Sequence, residues 1–298
     1  MRAGEFLKKR LACSAKLIAR LKKDERGIVL NGSRITVRAI LHTGDLLEIS
    51  EEDRAEDVNE DIIPCGEMPK ILYEDDDIIA VDKPAFMPTH PSHGHHDDTL
   101  ANALVKYFYD SKTPFVFRAM NRLDRNTSGI VVVSKNRLAA ARLSSAMANG
   151  EIRKRYFAVT CGIPEQKSGM IETDFRRTAE SIITREAFPI GEGGEGAQYA
   201  ATEYTVINEK DGRAGVIVSP LTGRTHQIRV HMRYIGTPLL GDDLYGEPSD
   251  LINRHALHAF SLEFPHKEKT LRLLCPPPND LLSLAGIDDE TLNNKLLK

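Results

Sequence analysis

The sequence predicts a protein of alternating strands and helices in two unequal parts, and two observations carry that expectation. Short β-branched runs, Ile78-Ile-Ala-Val81 and Ile130-Val-Val-Val133, alternate with stretches of helical periodicity at 99–109 and 136–149. An acidic stretch at 51–64 separates a basic opening segment from the remainder. At 298 residues and 41% hydrophobic content, the chain can bury one large core or two unequal ones. No apolar run approaches the roughly 20 residues that cross a bilayer. The opening Met1-Arg-Ala-Gly-Glu-Phe6 lacks the apolar centre of a signal peptide. The expectation is a soluble, cytoplasmic protein with no membrane partner.

A net charge of −3 does not by itself suggest a polyanionic partner, but the charge is segregated. Residues 1–50 carry 11 Lys and Arg against 5 Asp and Glu, whereas 51–64 carry 1 against 7. Between Arg118 and Arg155 there are 9 basic and 2 acidic residues. Such clustering builds a local anion-binding field despite an acidic total. Cys13, Cys65, Cys161 and Cys275 form no Cys-x-x-Cys pair, which argues against a zinc ribbon or a redox dithiol.

In chain order, 5–23 reads as helical, with Ser14 as an N-cap that breaks it into two short helices. Asn31-Gly32 is a tight-turn signal between short strands, and Gly44-Asp-Leu-Leu-Glu-Ile49 closes the segment. Residues 51–64 have the composition of a solvated linker. The boundaries follow: a small basic module at 1–56, an acidic linker at 57–69 and a main domain at 70–298. Proline 84 ends the Ile78 strand. The loop at 86–98 carries His90, His93, His95 and His96 with Asp97 and Asp98, but no pair has zincin spacing. Asn136 to Asn149 is a helix stopped by Gly150. Tyr156-Phe-Ala-Val-Thr160 is a strand, and further strands fall at 199–207 and 214–219. The tail after Pro278 reads as a peripheral helix.

Two segments carry candidate chemistry. In Met120-Asn-Arg-Leu-Asp-Arg-Asn-Thr-Ser-Gly129, Asp124 lies between Arg122 and Arg125, ahead of a buried strand. Flanking cations favour the ionised carboxylate, which can then serve as nucleophile, base or metal ligand; an N-cap or surface ion pair explains it equally well. In Leu221-Thr-Gly-Arg-Thr-His-Gln-Ile-Arg-Val-His-Met-Arg-Tyr-Ile-Gly236, Ile228, Met232 and Ile235 form an apolar helical stripe, and His226, Arg229 and Arg233 a basic one. That pattern fits the wall of an anion pocket or a solvated basic face.

Several motifs in this order match a known family. Arg122-Leu-Asp-Arg-Asn-Thr-Ser-Gly129 resembles the Arg-Leu-Asp-x-x-Thr-Ser-Gly signature of the RluA-type pseudouridine synthases. Tyr156-Phe-Ala-Val after Lys154-Arg155 is similar to that family's Tyr-bearing strand. Gly223-Arg-Thr-His-Gln-Ile-Arg229, with Gly241-Asp-x-x-Tyr-Gly246, is similar to its third motif. Ile78-x-x-Val-Asp-Lys-Pro84 with His90-Pro-Ser92 resembles its opening motif, and Leu257-His-Ala also fits. The matches span about 71–265. Residues 1–50 resemble the RNA-binding module first described in ribosomal small-subunit protein S-four; an amphipathic cap on the main domain is the alternative. Asn121 stands where His is more usual, and Phe86 where Gly commonly follows Lys-Pro-x.

The resemblance implies an α+β fold, a mixed, largely antiparallel sheet flanked by helices, with an RNA cleft across one face. It implies isomerisation of uridine to pseudouridine in ribosomal or transfer RNA by a monomer needing no cofactor, no metal and no dinucleotide. Asp124 would be nucleophile or base, Tyr156 the platform for an everted uracil, and Arg229 the partner of Asp124 inside a dry pocket. Arg122, Arg125, Thr127, Arg224, His226, Gln227 and His90 would contact substrate. A non-catalytic RNA-binding or ribosome-assembly factor with the same fold competes with this reading. So does an Asp-dependent hydrolase, which usually needs a second carboxylate.

Overall fold

The computed structural model describes residues 1–50, 53, 55–179, 181–291, 294 and 295. Glu51, Glu52 and Arg54 of the acidic stretch lie outside the described residues. The chain divides into two compact units, one comprising 1–80, 90–122 and 131–151, the other 81–89, 123–130 and 152–298. Each has its own core.

The first unit opens with helices α1 (Ala3–Lys9) and α2 (Ala15–Leu21), parted where Ser14 Oγ accepts the Leu17 N–H at 3.1 Å. Strands β1 (Ile28–Leu30), β2 (Ser33–Arg34) and β3 (Leu47–Ile49) form a small sheet with β1 in the middle. Asn31 and Gly32 both have positive φ (50° and 80°), so the anticipated tight turn is of the primed kind that matches strand twist. Strands β4 (Ile71–Glu74) and β5 (Ile78–Lys83) follow, then α3 (Leu100–Asp110), β6 (Ser128–Ser134) and α4 (Arg137–Ala148). Thr99 and Asn102 make a capping box on α3, and Asn136 caps α4.

Leu7, Leu17, Ile18, Leu21 and Ile28 share one core with Leu138 of α4, so the basic opening segment is packed onto this unit. The acidic stretch is also less solvated than its composition implies. The buried Asp53 carboxylate accepts from Arg118 at 2.6 and 2.7 Å and from Arg137 at 2.9 Å, while Asp57 pairs with Arg137 and Arg20. Its partners lie 65 and 84 residues further along the chain, so composition could not reveal them. Asn121 is structural: its Oδ1 accepts the Val132 N–H at 3.0 Å.

The second unit takes up the last residues of β5 and the first of β6, and continues with β7 (Arg153–Cys161), β8 (Ser168–Arg177), β9 (Arg185–Phe188), β10 (Gln198–Lys210) and β11 (Arg213–Pro220). After helix α5 (Gln227–Tyr234) come β12 (Leu257–His266), β13 (Lys269–Leu274) and α6 (Asn279–Ala285). The strand order is β6-β12-β7-β11-β10-β8-β9, with β13 also paired to β12. The β6–β12 pair is parallel (His258 opposite Ser128, Ala259 opposite Gly129) and the remaining pairs of this unit are antiparallel. The protein is α+β, with a mixed, mostly antiparallel sheet flanked by helices.

Gly129 makes the parallel junction possible. Its φ is +112°, and a Cβ there would sit 2.3 Å from the Ala259 carbonyl oxygen. Four strands, β4, β8, β9 and β13, were not anticipated. In β8 only Ile171, Thr173 and Phe175 face inward among polar neighbours, a weak alternation. Helix α6 exists as expected but is not peripheral: Leu281, Leu282 and Ala285 share a core with Phe157, Val159 and Phe260. No helix among the described residues is long and apolar enough to cross a membrane.

Candidate active site

Asp124 sits at the start of the turn that feeds β6, where its carbonyl accepts the Thr127 N–H at 3.1 Å. Its side chain keeps 29% of its surface exposed, so the carboxylate faces an opening and not the dry pocket the sequence suggested. Arg229 Nη1 lies 3.6 Å from Asp124 Oδ2, and His226 Nε2 lies 3.9 Å from the same oxygen. Tyr156 comes from β7, next to β12, with Ala259 as its Cα partner there. Burial holds its phenol far above the ordinary value, and the negative charge of Asp124 adds to the shift. The three residues expected to carry the chemistry, Asp124, Tyr156 and Arg229, are therefore brought together within one unit.

Arg229 does not have Asp124 as its main partner. Its Nε and Nη2 donate to the two oxygens of Asp242 at 2.8 and 2.6 Å, a bidentate pair in which both side chains are buried. A guanidinium buried to 4% exposure needs a full carboxylate partner, which the half-exposed Asp124 would supply poorly. Burial opposes the charge on Arg229, but the hydrogen bonds and charge of Asp242 outweigh it and raise its pKa. Likewise, burial would lift the Asp242 carboxyl, yet Arg229 holds it below the usual carboxylate range. Asp242 Oδ1 also accepts the N–H groups of Leu244 and Tyr245 at 3.1 Å each. Gly241, at φ +71° and with no room for a Cβ beside the Arg254 carbonyl, lets the chain present Asp242. The Tyr245 ring lies under Arg229, its centroid 5.1 Å from the guanidinium carbon.

A second cation is buried beneath the turn. Lys83, fully buried at the end of β5, donates from Nζ to the carbonyls of Pro84 (2.9 Å), Met87 (2.7 Å) and Arg125 (3.2 Å). It thereby ties the 84–87 loop to the residue after Asp124. Burial pushes its pKa down to about 7, with Asp124 pulling it back up and Arg254 pressing it further down. In the same loop Phe86 adopts φ +68°, a left-handed conformation that glycine takes without strain, which accounts for glycine being the commoner residue after Lys-Pro-x.

The remaining predicted contacts divide. Arg125 is exposed, with Nε donating to the Phe86 carbonyl at 3.4 Å, and Arg224 is half-buried, with Nε donating to the Tyr199 carbonyl at 3.1 Å. His226 occupies the left-handed N-cap of α5 (φ 61°). Thr127 and Gln227 are not available to substrate. The Thr127 hydroxyl is bonded to His255 Nε2 at 2.7 Å, and Gln227 bridges Thr222, the Arg224 N–H, the Ala201 carbonyl and Thr202. Both are buried, because the turn and the helix start each leave polar groups that need an internal partner. His90 and Arg122 belong to the first unit. There His90 meets the Phe117 ring edge-on at 4.9 Å, and burial, followed by the charge of Arg122, lowers its pKa. In the histidine-rich loop His95 Nδ1 lies 2.6 Å from Asp98, and among the described residues no group of three or more His, Cys, Asp or Glu is placed to hold a metal.

Residues 77–234 match the model of the RNA pseudouridylate synthase family. The chain belongs to that family. The uncharacterized RNA pseudouridine synthase YjbO of Bacillus subtilis is 36% identical over 278 residues, covering 92% of this chain and 95% of the relative. The ribosomal large subunit pseudouridine synthase D of Vibrio cholerae is 34% identical over 286 residues, covering 89% and 81%. The solved structure of human RNA pseudouridylate synthase domain containing 1 superposes with a TM-score of 0.62 at 30% identity, covering 73% of this chain and 86% of that one. The expected RluA-type membership holds. As a member of the family, the protein is an enzyme that isomerises uridine to pseudouridine in RNA.

Sequence reasoning passed over Lys83, Asp242 and Tyr245 as site residues. All three lie inside motifs it quoted, Asp82-Lys-Pro84 and Gly241-Asp-x-x-Tyr-Gly246. The available signal was their place in those motifs: a lysine closing a strand of apolar residues and an aspartate after a glycine that turns the chain.

Proposed function

We propose that Asp124 is the nucleophile or base of the isomerisation, acting on a uridine everted from a ribosomal RNA strand. The reaction breaks the bond between uracil N1 and the ribose anomeric carbon and rejoins that carbon to uracil C5, with the C5 proton removed and a proton gained at N1. It needs a carboxylate at the sugar and a surface that holds the detached base while it turns. The convergence of Asp124, Tyr156 and Arg229 in one unit carries this reading.

The half-exposed Asp124 is open to substrate, and Arg229 addresses the same carboxylate while Asp242 fixes the guanidinium plane. Eversion of the target base costs a few kcal/mol. Stacking on an aromatic platform returns about 1–3 kcal/mol, and Tyr156 is that platform. Its raised phenol pKa keeps the hydroxyl protonated. Arg125 and Arg224, each held by one backbone carbonyl, keep guanidinium nitrogens for phosphate. The basic segment at 1–56, joined through 57–69, adds RNA affinity to the catalytic residues of 70–298.

The likeness to a large-subunit synthase favours ribosomal over transfer RNA. The protein acts as a monomer in the cytoplasm. Carbodiimide-dependent primer-extension stops on total RNA from cells with and without the protein test the substrate. Stops that vanish from large-subunit RNA alone support this reading; loss confined to transfer RNA reassigns the substrate.

A further inference from the structure

The hydroxyl of Tyr245 sits between two groups. The backbone N–H of Arg185, at the start of β9, donates to it at 2.9 Å. His226 Nδ1 lies 2.9 Å from it on another side. Tyr245 is buried, so its own proton must have an acceptor, and among the described residues His226 Nδ1 is the one within hydrogen-bond reach. The O–H therefore donates to Nδ1, and Nδ1 carries no proton. Were Nδ1–H the donor instead, the phenol proton would be buried and unbonded. The imidazole is held neutral: burial lowers its pKa first, Asp124 opposes, Arg229 and Arg185 lower it further, and Asp242 opposes weakly. A neutral ring without a proton on Nδ1 carries it on Nε2, the nitrogen 3.9 Å from Asp124 Oδ2.

We propose that Tyr245 is a positioning residue that locks His226 in the Nε2–H tautomer, so that His226 and Arg229 both direct donors at Oδ2 of Asp124 and leave Oδ1 for the substrate. The same tyrosine serves both donors, since its ring supports the guanidinium of Arg229. The left-handed backbone of His226 is what turns the imidazole toward Tyr245 from the N-cap of α5. Without the lock the ring can present a bare Nε2 lone pair to the carboxylate, which repels it and frees Oδ2 to rotate. The catalytic consequence rests on the proposed role of Asp124; the tautomer does not.

The test is a long-range 1H–15N spectrum of histidine-labelled protein at neutral pH, with the His226 signals identified by their loss in His226→Gln. The expected wild-type pattern is Nε2–H, and a Tyr245→Phe variant should show the Nδ1–H form or a mixture. The phenylalanine keeps the ring under Arg229, so kcat is expected to fall at least about tenfold while KM changes by less than about twofold. A wild-type His226 found as Nδ1–H or as imidazolium overturns the proposal whether or not the variant folds. So does a variant with an unchanged tautomer or an unchanged kcat. Full turnover by Asp124→Asn would instead remove the role of Asp124 and leave the position of the His226 proton untouched.

Discussion

Replacing Asp242 by Asn preserves shape and removes one charge from a pair in which Arg229 is 4% exposed and Asp242 is fully buried. Arg229 would keep only longer contacts to carboxylates, 3.6 Å to Asp124 and 3.6 Å to the exposed Asp243. Breaking a buried ion pair from one side costs about 3–5 kcal/mol, because the remaining charge is left desolvated. The two backbone N–H groups on Oδ1 can still bond the amide oxygen, which places the expected loss near the lower end, about 3 kcal/mol. Urea unfolding at neutral pH measures it. Repeating the substitution in an Arg229→Met background gives the coupling, which should recover about 2 kcal/mol or more of that loss. The pH dependence has a fixed sign. Asp242 is depressed in the folded state, so its contribution is present above the unfolded carboxylate pKa and is lost as pH falls through the folded value. A loss below about 1 kcal/mol, or no coupling to Arg229, would refute the view that Asp242 and not Asp124 neutralises this guanidinium.

Lys83 should impose a pH signature of the same sign in a more alkaline window. Its folded pKa of about 7 lies below the unfolded lysine value, so the folded state binds fewer protons between those limits and this group makes stability rise with pH across that window. The unfolding free energy of wild type relative to Lys83→Met, followed from pH 7 to about 9.5, should grow by several kcal/mol; a flat difference contradicts the burial account. Tyr156→Phe should keep the stacking surface and lose the hydroxyl, lowering kcat with KM little changed; unchanged turnover would restrict Tyr156 to a platform. Because Leu138 and Asp53 anchor the opening segment in the core of its unit, its RNA role is better probed by neutralising exposed charges than by deletion. Lys16→Gln, Lys22→Gln and Lys23→Gln together should weaken RNA binding and reduce its salt slope by up to about 2. Affinity and slope that stay the same would favour the amphipathic-cap reading.

The sequence made the turn and strand around Asp124 legible, because a polar turn, a glycine and a β-branched run leave few alternatives. It also placed Ser14 as a helix cap, where the side-chain oxygen does bond a helix N–H group. It missed β8 and β9, whose inward residues are few and spaced among charges. The Arg229–Asp242 pair was hidden for another reason: a charge on an amphipathic helix looks the same whether it faces solvent or a buried carboxylate. Thr127 and Gln227 read as substrate contacts because hydroxyl and amide groups in a motif carry no mark of which partner they have, and here those partners are internal. Long-range pairings such as Asp53 with Arg118 are set by the fold and not by local pattern.

The most direct test of the central claim is single-turnover pseudouridine formation by Asp124→Asn on a synthetic stem-loop, with RNA affinity measured alongside. The account predicts no detectable product with affinity within a few-fold of wild type. Substantial residual turnover, with the protein folded and bound, would contradict it.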